Sequence, residues 1–449
     1  MKPAAASLST DVVVVGAGVA GLLAALRARA RGKSVLVVGR PAGASLAWSG
    51  AVDVADAIHD VVPGNAASAL DRGGDVDDAV AALAQKKPRH PYARLGAQRE
   101  QMASALQFFA DAVPELALVR RDDKKNHVLA TQLGSVKRAA LVPASQHLDV
   151  AALGDGDVLG VVEWQDLAHF GARPVREMLR FVLDHGPRPR ATRVVDVVVP
   201  RLFGGDFFRS TSDFARALDD AATREKVLGA LATRLGQIDA QPTHLLMPPA
   251  LTSTPSRALL SEIDARLKRP LREFLALPPS LPGTRLWQAL LAAAHKAGVD
   301  VKEGVVEAPV VAAGRVQELT VVRGGERQRV TPKAVVLATG RFLGGGIVRD
   351  HAAREPLFGF PVVADGLPVA DQFIGSLTAD HVDGDHAIFR AGIVTDDHLR
   401  PMAGAQLACD NVFCAGTVVG GFDPARDGAA LGVSVWLGVL AGNRAADAA

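Results

Sequence analysis

The feature that most constrains this chain is the run Asp11-Val-Val-Val-Val15, followed at once by Gly16-Ala-Gly18-Val-Ala-Gly21. A short, uniformly apolar, β-branched run is the pattern of a strand buried on both faces of a parallel sheet. In the turn after it, Gly16 supplies the bend, Gly18 lets the backbone approach a phosphate, and Gly21 lets helix and strand pack closely. The phosphate then sits at the positive end of the helix. Leu22 to Arg31 continues as that helix, with Leu22, Leu23 and Leu26 on one apolar stripe. Lys33 to Val38 reads as a second strand, closing a βαβ unit of about 30 residues. GxGxxG alone is a weak signal, and its bland reading is a glycine-rich turn in an empty αβ layer. The buried strand before it and the amphipathic helix after it favour a dinucleotide turn.

The rest of the chain predicts an α/β protein: a discontinuous Rossmann-like domain with a β-meander and an inserted αβ cap. Residues 1–60 form the first part of the nucleotide domain and 61–270 the cap. Residues 271–346 form the second part with the meander, 347–390 an irregular cap segment, and 391–449 the C-terminal part. Within the insertion, polar turns such as Arg72-Gly-Gly-Asp75 and Arg121-Asp-Asp-Lys-Lys125 precede an alternation of elements. Strands are expected at Val158–Val162, Arg193–Val199 and His244–Met247, and helices at Asp166–Leu183 and Ser212–Arg234. This order implies a second parallel layer. A helix at Thr284–Ala297 leads into meander strands near Val305–Val311, Val316–Val322 and Ala334–Ala338. Strand Asn411–Ala415, loop Gly416–Gly428 and an apolar helix to Gly442 follow.

Composition excludes several classes. Fifty Lys and Arg against 48 Asp and Glu leave a net charge of +2, so no bulk field draws the chain to nucleic acid or anionic lipid. Two cysteines, Cys409 and Cys414, cannot build a disulfide scaffold, a four-cysteine zinc site or an iron–sulfur cluster, and no metal site is expected. They read as buried thiols in a reducing, cytoplasmic setting. The longest apolar stretches, Val12–Leu26 and Gly428–Gly442, cover 15 residues each, whereas a membrane span needs about 20. No direct membrane span is expected, and the N-terminus reads as unprocessed.

Two further strand ends narrow the ligand. Val335-Val-Leu-Ala-Thr339-Gly340 is an apolar strand ending in a tight turn, and Asn411-Val-Phe-Cys-Ala-Gly416 feeds a glycine-rich loop and helix. With the N-terminal turn, they resemble the two-dinucleotide-binding-domain flavoproteins. The resemblance implies that the final helix aims its N-terminus, at Asp427, Gly428 and Ala429, toward the pyrimidine end of a flavin, where partial positive charge stabilises the anionic reduced ring.

One departure is informative. A carboxylate for the adenosine ribose is expected about 20 residues after the glycines, but Val35-Leu-Val-Val38 runs into Gly39 and Arg40. Arg40 can pair with phosphate, which favours the mononucleotide FMN over FAD. FAD held weakly, or a fold that has lost its flavin, stays open. Thr417 stands where many such flavoproteins place an acid against the ribityl chain, and its hydroxyl can donate and accept there.

Longer stretches carry a more specific resemblance. They are His90-Pro-Tyr-Ala-Arg-Leu-Gly96, Leu277-Pro-Pro-Ser280 with Gly283-Thr-Arg-Leu286, Leu337-Ala-Thr-Gly-Arg-Phe-Leu-Gly-Gly-Gly346 and Arg354-Glu-Pro356, then Gly392-Ile-Val-Thr-Asp396 with Leu399-Arg-Pro401, and Gly416-Thr-Val-Val-Gly-Gly-Phe-Asp-Pro424. In this order, over nearly the whole chain, they are similar to the B subunits of the anaerobic glycerol-3-phosphate dehydrogenases. The resemblance implies a flavin-bearing subunit, with FMN the usual assignment and FAD the alternative. It also implies two partners, a catalytic FAD subunit and a membrane-associated iron–sulfur subunit. The latter passes electrons to menaquinone, which places the chain peripherally on the inner membrane through its partners. The implied reaction oxidises sn-glycerol 3-phosphate to dihydroxyacetone phosphate. Two rivals are a self-sufficient flavin oxidoreductase for another small substrate and a flavin-free scaffold subunit.

Individual residues follow from this frame. Arg40, Ser49 and Gly50 follow the second strand and are candidate flavin contacts, or else plain loop residues. Arg400 is the candidate for electrostatic work on a substrate, set among Asp396, Asp397 and His398; a solvated turn is the competing reading. Arg285 suits an anion, a partner, or a surface acid. His90 and Tyr92 read as packing with a hydrogen bond. Gln85 to His90 and the arginines from Arg188 to Arg201 read as solvent faces.

Overall fold

The computed structural model describes residues 8–41, 43–55, 70, 74–185, 192–204, 207–349, 353–382 and 384–449. The expected domain boundary after residue 60, Arg72 of the expected turn, and Arg188 and Arg190 lie outside the described residues. Two compact units divide the chain: Met1–Ser45, Asp77–Ala112 and Trp287–Ala449 form one, and Leu46–Val76 and Val113–Leu286 the other.

The first unit is built on a sheet of seven strands: β1 (Leu8–Ala17), β2 (Val35–Pro41), β3 (Asp300–Glu303), β4 (Val305–Ala312), β5 (Arg315–Arg323), β6 (Glu326–Leu337) and β7 (Val412–Cys414). Five run parallel in the order β3-β2-β1-β6-β7, and β5 and β4 extend the sheet from β6 as an antiparallel meander. Val12, Val13 and Val14 are fully buried, as a central strand covered on both faces requires. The registers Val15↔Val38, Val15↔Leu337 and Leu337↔Cys414 bring the carboxyl ends of β1, β2, β6 and β7 to one edge. That edge is where open parallel sheets bind ligands.

Strand β6 begins eight residues before the expected Ala334. Its first half alternates exposed and buried positions while its second half is buried throughout. The first half pairs with β5 across the Gly324-Gly325 turn, with Arg323 opposite Glu326. A strand with one solvated face carries polar residues that mask it in a search for apolar runs.

Helices α1 (Val19–Ala30), α2 (Arg99–Ala112) and α3 (Ala430–Ala448) belong to this unit. Helix α3 is apolar nearly all round because it is buried nearly all round. It crosses α1 closely: a Cβ on Gly438 would lie 2.6 Å from the Ala20 carbonyl oxygen, and one on Gly442 2.5 Å from that of Ala24. Among the described residues no helix is long and apolar enough to cross a membrane. Residues Asp77–Ala112, expected within the insertion, fall in the first unit instead. The reason is α2, which packs against α3 and buries Met102, Ala105, Leu106 and Phe109.

The second unit holds a four-stranded, all-parallel sheet in the order Leu271–Glu273, His244–Met247, Val158–Trp164, Arg193–Val199. Alternate residues serve two cores: Val162, Trp164, Leu245 and Met247 join one, and Leu159, Val161 and Leu246 the other. Both faces are therefore covered. The helix expected over Ser212–Arg234 is two helices, Thr211–Asp219 and Ala221–Leu235. Asp220 separates them by capping the second, its carboxylate accepting the Thr223 N–H at 2.8 Å. The helix expected from Asp166 starts at Ala172, because the Asp166 carboxylate instead accepts the N–H groups of Leu202 and Phe203.

Candidate functional site

The glycine turn follows its expected geometry at the carboxyl edge of the first unit's sheet. Gly16 has φ +116°, and a Cβ there would lie 2.3 Å from the Ala338 carbonyl oxygen. A Cβ on Gly21 would lie 1.9 Å from the Gly16 oxygen. Neither position accepts a side chain, so α1 can start directly under the ends of β1 and β6. Gly18 is the N-cap of α1 and contributes no side-chain cap, and the first turn carries no acid. The positive end of the helix is thus uncompensated by its own residues. Ser45 reaches it from the β2 side, its hydroxyl accepting the Val19 N–H at 3.2 Å. That hydroxyl can still donate to an anion at the same place.

Gly39 explains the absent carboxylate. A Cβ there would lie 2.7 Å from the Ala17 amide nitrogen and 3.2 Å from Gly16 atoms. The end of β2 presses so closely on the glycine turn that an acid cannot be accommodated without moving backbone. Arg40, next in the strand, is exposed.

Thr339 and Gly340 turn the chain at the end of β6, Gly340 with φ +75°. A Cβ on Gly340 would lie 3.5 Å from Gly344 Cα and 3.7 Å from the Thr417 hydroxyl oxygen, and one on Gly416 2.7 Å from Ala20 Cβ in the first turn of α1. Thr339, Gly340, Gly416 and Thr417 are therefore brought together with the glycine turn. The Thr339 hydroxyl is buried without a hydrogen-bond partner among the described residues. A flavin fits this edge on three observations: small residues bring backbone groups to it, and an orphaned hydroxyl and a helix N-terminus lie along it.

Asp427, Gly428 and Ala429 precede α3, which begins at Ala430 with Ala429 as its N-cap and no side-chain cap. Asp427 is fully buried. It accepts the Asp423 N–H at 2.9 Å and pairs with Lys87. Lys87, expected on a solvent face, is partly exposed and turns its ammonium group onto this buried carboxylate. His90 lies beside them with its Nε2 3.9 Å from Asp427 Oδ2 and its Nδ1 accepting the Tyr92 N–H. Burial, and then the neighbouring Lys87, push the imidazole down to about 3, so it is neutral at physiological pH. Tyr92 packs edge-on against Trp436 of α3.

Arg341 carries no signal of its own in the sequence, although it stands inside one of the motifs quoted above. Its guanidinium is buried and bonds the carbonyls of Thr417 at 3.1 Å, Val419 at 3.3 Å and Phe422 at 3.4 Å, and also that of Phe389. Burial lowers it to about 10, opposed by Asp423 and Asp427. It remains a cation at neutral pH. No local pattern announces such a role, because its four acceptors lie 48 to 81 positions away.

Arg400 is closed within its own turn. Its Nε and a terminal nitrogen contact Asp396 Oδ2 at 2.8 and 2.7 Å, and Asp396 Oδ1 accepts the N–H groups of His398 and Arg400. Arg94 joins this turn by bonding the Thr395 carbonyl. Ser49 and Gly50 belong to the second unit. The Ser49 carbonyl accepts Ala276 N–H and Gln146 Nε2, and Gly50, with φ +109°, leaves no room for a Cβ beside Gln146. Arg285, in the same unit, meets a buried acid rather than the surface one expected: it pairs with Glu273 at 2.7 and 3.0 Å. Cys409 and Cys414 are free and buried, and burial raises both thiols. Among the described residues no cluster of His, Cys, Asp and Glu is arranged to hold a metal ion.

Comparison with known proteins identifies the family. Residues 11–433 match the family described as FAD binding domain. A Halobacterium salinarum protein, named as the probable B subunit of an anaerobic glycerol-3-phosphate dehydrogenase, is 30% identical, the alignment covering 98% of this chain and 99% of the relative. The Vibrio cholerae protein named as the B subunit of anaerobic glycerol-3-phosphate dehydrogenase is 27% identical, with 95% and 94% covered. Among solved structures, the 3-ketosteroid delta1-dehydrogenase from Sterolibacterium denitrificans aligns with a TM-score of 0.42 at 12% identity, covering 99% of this chain and 100% of that one. The chain belongs to the FAD binding domain family and, within it, to the B-subunit family of the anaerobic glycerol-3-phosphate dehydrogenases.

Proposed function

We propose that this chain is the flavin-bearing subunit of a respiratory complex that oxidises sn-glycerol 3-phosphate to dihydroxyacetone phosphate and delivers the electrons to quinone. The observation that carries the reading is the helix N-terminus at Gly18, uncompensated by acids and set at the carboxyl edge of a parallel sheet, in a chain whose relatives share the B-subunit name along nearly their whole length. The Gly18 amide and the Ser45 hydroxyl, which the Val19 N–H holds in place, would hold phosphate there. Thr339, Gly340, Gly416 and Thr417 would hold the portion beyond it, and the segment Asp427, Gly428, Ala429 its far end. When bound, the flavin supplies reversible acceptance of two electrons.

The family match favours FAD over the FMN expected from the missing carboxylate. Gly39 accounts for that absence by backbone packing, so the missing acid is no argument for a mononucleotide. The adenosine ribose would then be held without a carboxylate, with Arg40 free to face phosphate.

Two observations support a relay role over direct oxidation of substrate. Arg400 is engaged by Asp396 rather than open to a substrate anion, and the buried His90 imidazole, held at about 3, is too weak a base to draw a proton from a substrate hydroxyl. Substrate oxidation is assigned to a catalytic FAD-bearing partner, and the link to the membrane to an iron–sulfur partner.

The test is purification followed by visible absorption, chromatography of the released cofactor, and addition of glycerol 3-phosphate with and without the co-expressed partners. A flavin spectrum, released FAD, and bleaching only in the complex are expected. A colourless native preparation would overturn the flavin assignment, and bleaching by the isolated chain would overturn the relay.

A further inference from the structure

We propose that Arg341 is a positioning residue for the cofactor: its buried guanidinium fixes the backbone of Gly416–Phe422 and keeps a positive charge beside the carboxyl edge of the sheet, so that flavin affinity and midpoint potential both depend on it. The inference rests on the flavin reading above.

The geometry is that of a tie. Arg341 leaves the Thr339-Gly340 turn and gathers carbonyls from two other segments, Phe389 on one side and Thr417, Val419 and Phe422 on the other. The Phe422 ring lies below the guanidinium, 5.1 Å from centroid to the central carbon. The same loop abuts the cofactor edge, where Gly416 meets Ala20 of α1 and the Thr417 hydroxyl faces Gly340. Three amides inside the loop are also bonded: Val419 to the Gly416 carbonyl, Gly420 to that of Ile393 and Gly421 to that of Arg390. Arg341 thus satisfies carbonyls that the rest of the loop leaves over.

The electrostatics are unusual because every direct partner of the guanidinium is a neutral carbonyl. Asp423 and Asp427 act on it through space, and Lys87 is bonded to Asp427. Counting Arg341 and Lys87 against Asp423 and Asp427, with His90 neutral, the cluster balances. Removing Arg341 leaves an excess negative charge in a medium of low dielectric. Reduction adds negative charge to a flavin, so that excess opposes it.

The experiment compares wild type, Arg341→Met and Arg341→Lys as full-length holoprotein, and each after flavin removal. In flavin-free Arg341→Met, amide hydrogen exchange at Val419, Gly420 and Gly421 should accelerate. In the holoprotein, flavin should bind about tenfold or more weakly, as expected for losing charged hydrogen bonds, and the midpoint potential should fall. Arg341→Lys keeps the charge with fewer donors. It should restore the potential while restoring loop protection only in part. Unchanged flavin affinity and potential in a folded Arg341→Met would overturn the proposal, as would a potential in Arg341→Lys that falls equally far. Should Arg341→Met not fold, the lysine variant decides: a wild-type potential with loosened loop amides supports the proposal, and wild-type loop exchange overturns it. A wild-type protein without flavin would instead defeat the underlying reading, and the exchange data would then bear on the loop tie alone.

Discussion

Lys87 and Asp427 show how a single residue can change meaning between sequence and structure. In the run Gln85 to His90 a lysine looks like surface, yet here it neutralises a carboxylate that has no exposure of its own. Lys87→Met should therefore destabilise the protein by roughly 1–3 kcal/mol, less than for a pair buried on both sides because the lysine is partly exposed. Adding Asp427→Asn should recover part of the loss, and a double-mutant cycle by urea denaturation measures it. His90 and His127 give a pH signature. Burial holds them at about 3 and about 4, below the ordinary 6.5. Between those limits the unfolded chain takes up protons that the folded chain does not, so stability should fall as pH drops from about 6.5 toward 4. His90→Asn, which keeps an acceptor for the Tyr92 N–H, should flatten that slope; urea midpoints at pH 7 and pH 5 check it. The glycines at 16, 18 and 21 are legible because a dinucleotide turn is written in six consecutive positions. Arg341 and the Lys87–Asp427 pair are not, since each depends on segments distant in the chain. Gly39 lies between these cases: the missing acid is visible in the sequence, but its cause, contact with Ala17, is not. Gly39→Glu should consequently cost about 1–3 kcal/mol through backbone displacement and should fail to improve FAD retention, as denaturation and equilibrium dialysis will show.

At the level of elements, the first unit joins its sheet to a close packing of α1 against α3. Gly438 and Gly442 permit it by placing hydrogen where a methyl would strike the Ala20 and Ala24 carbonyl oxygens. Gly438→Val should separate the helices and destabilise the unit by about 1–3 kcal/mol, the usual range for overpacking, and should loosen flavin through the displaced Gly416 contact. Thermal denaturation and cofactor release read the two effects. Helix α3 is visible from its apolar run, but not its extent to Ala448, because charged residues near its end hide the continuation. The parallel strands are legible wherever both faces are buried. The first half of β6 is not, because one of its faces meets solvent, and the helix break at Asp220 is hidden because a capping side chain in mid-pattern resembles an ordinary polar position.

For the whole molecule, the two units answer to different perturbations. Arg285→Met would leave Glu273 buried and uncompensated in the second unit, a loss of about 3–5 kcal/mol. Hydrogen exchange should show that loss across the four-stranded sheet of the second unit and spare the seven-stranded sheet. The general plan, a parallel nucleotide sheet interrupted by a second parallel layer, is readable from strand spacing. The return of Asp77–Ala112 to the first unit is not, since helix α2 shows which face it buries only once α3 is in place. The packing of α3 on α1 also sets a timetable for synthesis. The segment that shelters Ala20 and Ala24 is translated about 400 residues after them, which at ribosomal speeds of about 5–20 residues per second is roughly 20–80 s. Through that interval the nascent helix α1 has a bare apolar flank, making the growing polypeptide a natural client for chaperones.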